Sequence, residues 1–446
     1  MSIETILSHV NSSSVRLVRF LYCDTSGIIR GKAAHVDSLQ RRLESGIGLV
    51  KGMMAMNLLD QMQTNTGFGA VGEVRLIADL DTFTLLPYAA QSALILCDLV
   101  ELDRRPFALC PRTVLKRQIQ KASEMGVRIE AAFEPEFTLG TIDQGNFQPI
   151  DESLCFSTDG MNRAADFINR FTNALERQGI EVEQYYPELG HGQHELSITR
   201  AEALAAADRH ILYRESLRAT AAECGLVASL APKPLANQPG NGCHLHLSAW
   251  DKNSSANLFR GQDGLSEFAL QFIAGLIKHL PALVGLTCPS VNSYRRLKPR
   301  TWASAFTAWG YENREAAVRV PSVFWGQEDA STNIEIKCVD SSSNPYLALA
   351  GAIACGLDGV KRKLCPPQPL DTDPCSLSAE EMASNQVRRL PTNLKESLKR
   401  LIHDALLMEV LGDELARTFI MVKTSEALAF AKASVESELR QHRTKF

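Results

Sequence analysis

Arg128-Ile-Glu-Ala-Ala-Phe-Glu-Pro-Glu-Phe-Thr-Leu139 interleaves acidic and core-like residues along a run that reads as a β-strand. Successive side chains of a strand point to opposite faces, so Glu134 and Glu136, two apart, share one face. Two like charges held that close repel, and burying them is costly unless a cation sits between them. Taken alone, Glu-x-Glu equally describes a solvated strand face. Further segments argue for the buried case. Glu188 and Glu195 flank the turn-like Leu189-Gly-His-Gly-Gln-His194, and His244 and His246 lie two apart in Gly242-Cys-His-Leu-His-Leu-Ser248. Glu335 stands between Ile334 and Ile336, which face the opposite, apolar side. Carboxylates and imidazole thus recur on strands whose alternate residues belong in a core. Oxygen-rich ligation with little nitrogen suits Mg²⁺ or Mn²⁺ better than zinc, and more than one ion. His-x-His by itself would suggest zinc, but no cysteine or third histidine lies at ligand spacing.

Outward from this strand, the pattern predicts others over 181–186, 193–199, 242–250 and 331–338. Helices are expected over 161–178, 201–223, 265–279 and 346–364, with a helical tail from Ser378 broken at Pro391. Upstream, Val15 to Val36 alternates as a hairpin about a turn at Asp24-Thr-Ser-Gly27, and strand-like runs follow at 73–78 and 92–99. Pro111 opens a helix that Gly126 ends, which makes 106–111 a boundary. The expected domains are 1–107, small and β-rich, and 108–446, in which strands and longer helices alternate without βαβ repetition. The fold class is α+β.

The 446 residues are 45% hydrophobic and 22% charged, ordinary for a globular protein that needs no staples for its core. A net charge of −4 gives no electrostatic case for nucleic acid or an anionic membrane as partner. Phe268 to Leu286 is the most apolar helical segment, but it carries Lys278, His279 and Pro281, which argues against a membrane span. The N-terminus has neither a basic region nor a long apolar stretch, and the 11 scattered cysteines form no Cys-x-x-Cys pair. Reduced thiols and a cytoplasmic location are expected.

Lys233-Pro-Leu-Ala-Asn-Gln-Pro-Gly-Asn-Gly-Cys-His-Leu-His-Leu-Ser248 resembles the ATP-region signature of glutamine synthetases. Glu134-Pro-Glu-Phe137 is similar to the family's Glu-x-Glu-Phe strand, and Glu188 to Glu195 to its second acidic segment. Asn292-Ser-Tyr-Arg-Arg-Leu297, Asn313-Arg-Glu-Ala-Ala-Val-Arg-Val-Pro321 and Asn344-Pro-Tyr-Leu-Ala-Leu349 complete six motifs in the family's order. The resemblance implies a β-grasp-like N-terminal domain before a catalytic domain on a curved antiparallel sheet. It also implies homo-oligomers, commonly two stacked hexameric rings with sites shared between subunits. The implied substrates are glutamate, ammonia or an amine, and ATP, with two or three Mg²⁺ or Mn²⁺ ions per site.

Position by position, the resemblance gives Glu136, Glu188 and Glu195 to one metal, and Glu134, His244 and Glu335 to a second beside the ATP phosphates. Glu183, His246 and Ser248 match nucleotide contacts. Arg314 and Arg319 match the pair that neutralises the transferring phosphoryl group, and Arg296 and Gly240 match contacts to glutamate. Asp60 aligns loosely with the aspartate that binds and deprotonates ammonium, acting there on the next chain's substrates.

Three departures stand out. Trp302 falls where ammonia-using members carry the glutamate of Gly-Tyr-Glu-Ala-Pro. An indole suits an alkylammonium better than bare ammonium, which points to the branch making γ-glutamyl amides, such as γ-glutamylmethylamide synthetase. Lys337 replaces an arginine near the substrate carboxylate and loses its bidentate fork, and Asn333 replaces a basic residue near the nucleotide. The competing expectations are glutamine synthetase proper, a non-catalytic relative, and a zinc hydrolase built on His244 and His246.

Overall fold

The computed structural model describes residues 1–446. The first sheet comprises β1 (Leu17–Cys23), β2 (Ile29–His35), β3 (Ile47–Val50), β4 (Glu73–Ala78) and β5 (Ser92–Glu101), in the order β2-β1-β5-β4-β3. β1 and β5 are parallel and the other neighbours antiparallel. The expected hairpin is β1–β2. Asp24 Oδ1 builds its turn by accepting the Ser26 and Ile28 N–H groups at 2.8 and 2.9 Å. Gly27 there has φ +83°, and a Cβ on it would lie 2.5 Å from the Ser342 carbonyl oxygen. The turn is seated in the larger half of the molecule. Asn344 donates to the Asp24 carbonyl at 2.9 Å, the buried Arg214 to that of Gly27 at 2.9 Å, and Ser26 Oγ to Glu426 at 2.8 Å. Two helices over this sheet, Ile3–Ser12 and Val36–Ser45, had no expectation; each buries one pair four residues apart, Ile6 with Val10 and Leu39 with Leu43.

The second sheet is built around β6 (Val127–Asp143), the strand quoted first. With β7 (Val182–Pro187), β8 (Gln193–Ile198), β9 (Cys243–Asp251), β10 (Trp309–Tyr311), β11 (Val318–Val320) and β12 (Ile334–Ile336), its order is β10-β11-β12-β9-β6-β8-β7. All these neighbours are antiparallel except β10 and β11 at the edge. The strand expected over 331–338 is shorter than that, because Glu328–Ser331 forms a helical turn. Burial along β6 alternates: Ile129, Ala131, Phe133 and Phe137 enter the core, while Glu130, Glu134 and Glu136 face the other way. Helices Pro111–Glu124 and Ala203–Glu223 pack on the apolar side.

Behind them, helix Glu267–Thr287 packs along helix Pro345–Lys361 so closely that a Cβ on Gly275 would lie 2.1 Å from the Cys355 carbonyl oxygen. Glu267–Thr287 is long and apolar enough to cross a membrane, yet it is a core helix with 72% of its most apolar window buried. It was expected to end near residue 279, but continues through Pro281, because packing along its whole length outweighs the one lost backbone bond. All 11 cysteines are free thiols. Arg112, at the foot of helix Pro111–Glu124, binds the two sheets at the expected boundary. It reaches Asp208 at 2.7 Å, Asp79 at 2.8 Å and Asp98 at 3.2 Å.

His279, in the buried helix, bridges Asp404 at 2.7 Å and Asp358 at 3.1 Å. Burial disfavours its charge, but the two carboxylates prevail and raise its pKa above the ordinary 6.5. Burial likewise acts upward on Asp404, but His279 and backbone N–H groups hold it below 3.8. The histidine's contribution is complete below its ordinary value and fades as pH rises through the raised one; that of Asp404 is complete above 3.8 and fades as pH falls through the lowered one. The pair therefore stabilises the fold most between 3.8 and 6.5. His279→Leu is expected to destabilise by about 3 kcal/mol in urea near pH 5.5 and by less near pH 8.5. An equal loss at both pH values would contradict the assignment.

Candidate active site

The polar face of the second sheet floors a cavity of about 570 Å³. Strand register decides what meets what. Across β6 and β8, Glu136 lies opposite Glu195; across β6 and β9, Glu134 lies opposite His244. Glu335 has His246 on one side and Arg319 on the other. Glu188, just beyond β7, completes five carboxylates around one space.

Between Glu134 and Glu335 the chain supplies its own cations. His246 Nε2 is 3.3 Å from Glu134 and its Nδ1 2.9 Å from Asn333 Oδ1. His244 Nδ1 is 3.4 Å from Glu134 and 3.2 Å from Glu335. Arg319 donates to Glu335 at 2.7 Å, and the buried Lys337 reaches Glu335 and His244 Nε2, each at 3.3 Å. Burial alone would push these carboxyls up. The two histidines instead hold Glu134 well below the usual range, and Lys337 with His244 brings Glu335 down to about 2. Burial opposes a charge on His246 too, but Glu134 raises it to about 9; burial and Lys337 lower His244.

The other end of the row is poorly compensated. Glu136 accepts the Gln193 amide at 2.8 Å and the Gly242 N–H at 2.9 Å, both neutral donors. Tyr186, opposite Glu195 on β7, donates to it. Burial and then neighbouring carboxylates push Glu188 up to about 7 and Glu195 well above the ordinary carboxyl value. Carboxylates crowded in this way relax when a divalent cation with oxygen preference sits among them, so the donor set fits Mg²⁺ or Mn²⁺. Two imidazoles among five carboxylates make a set richer in oxygen than nitrogen, which favours a hard cation over zinc.

One group whose ligand atoms could converge on one ion is Glu134, His246 and Glu335, all within 4.8 Å of one another. The sequence assigns His246 to the nucleotide and His244 to the metal; both imidazoles line the cavity, and His244 Nδ1 itself lies 3.4 Å from Glu134 and 3.2 Å from Glu335. Glu183, Gly240, Ser248, Arg296, Trp302, Arg314, Arg319, Asn333 and Lys337 also line it. Gly240 is tight: a Cβ there would lie 2.3 Å from the Pro232 carbonyl oxygen and 3.0 Å from Arg296 Cβ. Asp60 does not join them; it is 63% exposed on the first sheet's side and pairs with Arg30 at 2.7 Å. Tyr186 and Gln193 escaped notice because their partners are visible only once strands are paired.

Over nearly its whole length the chain is similar to known proteins. Residues 1–107 match the glutamine synthetase N-terminal domain and residues 108–442 the glutamine synthetase catalytic domain. Gamma-glutamylpolyamine synthetase GlnA3 of Streptomyces coelicolor is 38% identical over 425 residues, covering 94% of this chain and 91% of the relative. Glutamine synthetase of Pyrococcus abyssi is 34% identical over 426 residues, 94% and 92% of the two chains. Among solved structures, one described as a novel glutamine synthase homologue superposes with TM-score 0.86 at 32% identity, over 97% of this chain and 99% of that one. A GmaS/ADP complex gives TM-score 0.85 at 29% identity, over 97% and 98%.

Saturating Mg²⁺ or Mn²⁺ should therefore stabilise the fold, by about 2.7 kcal/mol at a hundredfold excess over Kd. Glu195→Gln removes a repelling charge, so without cation it should unfold no earlier than the unaltered protein, and it should gain less from added cation. Thermal unfolding with and without each ion measures both. A midpoint indifferent to cations would refute the site.

Proposed function

Because the chain belongs to the glutamine synthetase family and is a glutamate–amine ligase, we propose that it joins a small alkylamine, such as methylamine, to the γ-carboxylate of L-glutamate in an ATP-driven, ADP-forming reaction. The observation that carries the choice of amine is Trp302, half-exposed at the cavity wall where ammonia-using members bear a glutamate. An indole offers an alkylammonium both apolar contact and a π face. One similar protein supports an organic amine over ammonia: GlnA3 is named for a polyamine.

In this reading a bound divalent cation neutralises and orients the phosphates. Glu136, Glu188 and Glu195 would hold one ion, and Glu134, His244 and Glu335 another. Arg296, Gly240 and Lys337 receive glutamate; Glu183, His246, Ser248 and Asn333 line the nucleotide side. Arg314 and Arg319 present fixed positive charge to the oxygens of the γ-phosphoryl group as it moves from ATP to a γ-carboxylate oxygen, releasing ADP. The alkylammonium gives up a proton to a carboxylate, the role assigned to Asp60; its nitrogen then attacks the γ-carbon, the bond from that carbon to the phosphoryl oxygen breaks, and inorganic phosphate leaves. Enclosure protects the acyl phosphate from water.

The same reading divides the chain into domains 1–107 and 108–446. It makes the working form a cytoplasmic homo-oligomer of two stacked hexameric rings, with Asp60 of one chain reaching the next chain's amine. The exposure of Asp60, outside its own cavity, supports that role. Ammonia as nucleophile is the second reading, favoured by the likeness to the Pyrococcus enzyme.

Phosphate release with glutamate and ATP, measured across ammonia, methylamine, ethylamine and a polyamine, decides between them. The kcat/KM for methylamine is expected to exceed that for ammonia by about tenfold or more, and Trp302→Glu to move the preference towards ammonia by a similar factor. Ammonia winning at subsaturating concentration would sink the alkylamine reading. A polyamine outrunning both would enlarge the amine.

A further inference from the structure

The segment carrying Trp302 holds an unfavourable backbone shape. Arg300, Trp302 and Ser304 lie at φ +58°, +54° and +63°. None is a glycine or asparagine, and each such residue costs roughly 1 kcal/mol, so the turn persists only where its surroundings impose it. Its two ends are pinned. Before it, Arg296 hydrogen-bonds the Val339 and Lys337 carbonyls at 3.2 and 3.3 Å. After it, Ala305 and Phe306 enter a small apolar cluster with Leu370 and Val387, and Ser304 Oγ donates to the Ala316 carbonyl at 3.0 Å.

Between these pins, two side chains from outside the segment reach the turn. Asp373 pairs with the Arg300 guanidinium at 3.6 Å, and Glu315 Oε1 accepts the Trp302 N–H at 2.8 Å, the contact made on the indole residue's own backbone. Glu315 is only 9% exposed and does not line the cavity. Its own N–H is fixed by Asn313 Oδ1 at 3.0 Å, and the Asn313 amide in turn holds the Leu370 and Thr372 carbonyls at 3.0 and 2.9 Å. The other oxygen, Oε2, is buried without a partner. A buried carboxylate left half-satisfied is expensive, and here it gives the left-handed turn its anchor. Arg314, the neighbour in sequence, lines the cavity, so one short segment positions both the phosphoryl-facing arginine and the indole.

We infer that Glu315 is a positioning residue: it clasps the 300–304 turn, holds Trp302 against the cavity, and thereby sets which amine is accepted. This rests on the reading of Trp302 as the amine-facing wall. Glu315→Gln keeps an acceptor oxygen, and Glu315→Ala removes it.

In the full-length protein with Mg²⁺, the Ala variant is expected to lose roughly tenfold or more in the ratio of kcat/KM for methylamine to that for ammonia, with KM for glutamate and ATP changed less than about twofold. Tryptic cleavage after Arg300, whose side chain is 70% exposed, is expected to accelerate. The Gln variant should recover most of both properties. An Ala variant that keeps its amine ratio and its cleavage rate, or that weakens all three substrates alike, overturns the inference. If the unaltered enzyme shows no preference for methylamine over ammonia, the amine reading fails, and the Arg300 cleavage rate alone decides whether Glu315 holds the turn.

Discussion

Acidic residues fixed opposite one another by strand register govern this molecule. Backbone hydrogen bonds between β6, β8, β9 and β12 set the spacing, so Glu134, Glu136, Glu195 and Glu335 cannot drift apart. They cannot turn away either, because Phe133 and Phe137 on the same strand are buried behind them. On an exposed sheet, like charges in opposition are destabilising by about 0.2–1 kcal/mol per pair, and burial enlarges the penalty. The apolar layer of helices behind β6 outweighs that penalty and holds the strand in place under it. A rigid back and a repulsive front are two faces of one strand.

The row is not uniform. Around Glu134 and Glu335 the protein's own His246, Lys337 and Arg319 balance the charge. Around Glu136, Glu188 and Glu195 the donors are an amide, a backbone N–H, a phenol and the Leu189 N–H, none of them cationic. Lys337 and Arg314 act on Glu188 only from a distance. Electrostatic demand for an outside cation therefore falls mainly on this end.

Much of this was legible before any coordinates. A period of two is enough to place Glu134 and Glu136 together, and Ile-Glu-Ile is enough to turn Glu335 away from the core. What resisted reading depends on how elements meet. How His244 and His246 share Glu134 and Glu335 depends on strand pairing: His246 stands opposite Glu335 by register, while His244 lies 3.4 and 3.2 Å from the two carboxylates. Pro281 signals a helix end locally, and only the close approach of Gly275 to the neighbouring helix explains why the helix goes on. Helices Ile3–Ser12 and Val36–Ser45 each bury a single pair, too short a repeat to stand out from noise. Glu315 carries no sequence mark of its role, since its partner is the Trp302 backbone N–H, in a turn whose shape sequence does not reveal.

The tip of the β1–β2 hairpin sits in a socket formed by Ser342, Asn344, Arg214 and Glu426, and Gly27 leaves no slack there. A joint of that kind behaves as a dowel rather than a hinge. Pulling the small sheet away from the large one would break the Asn344, Arg214 and Ser26 hydrogen bonds together, a penalty of several kcal/mol. The cavity is lined by the larger part alone, so its mouth is shaped by that part's own loops and not by this joint.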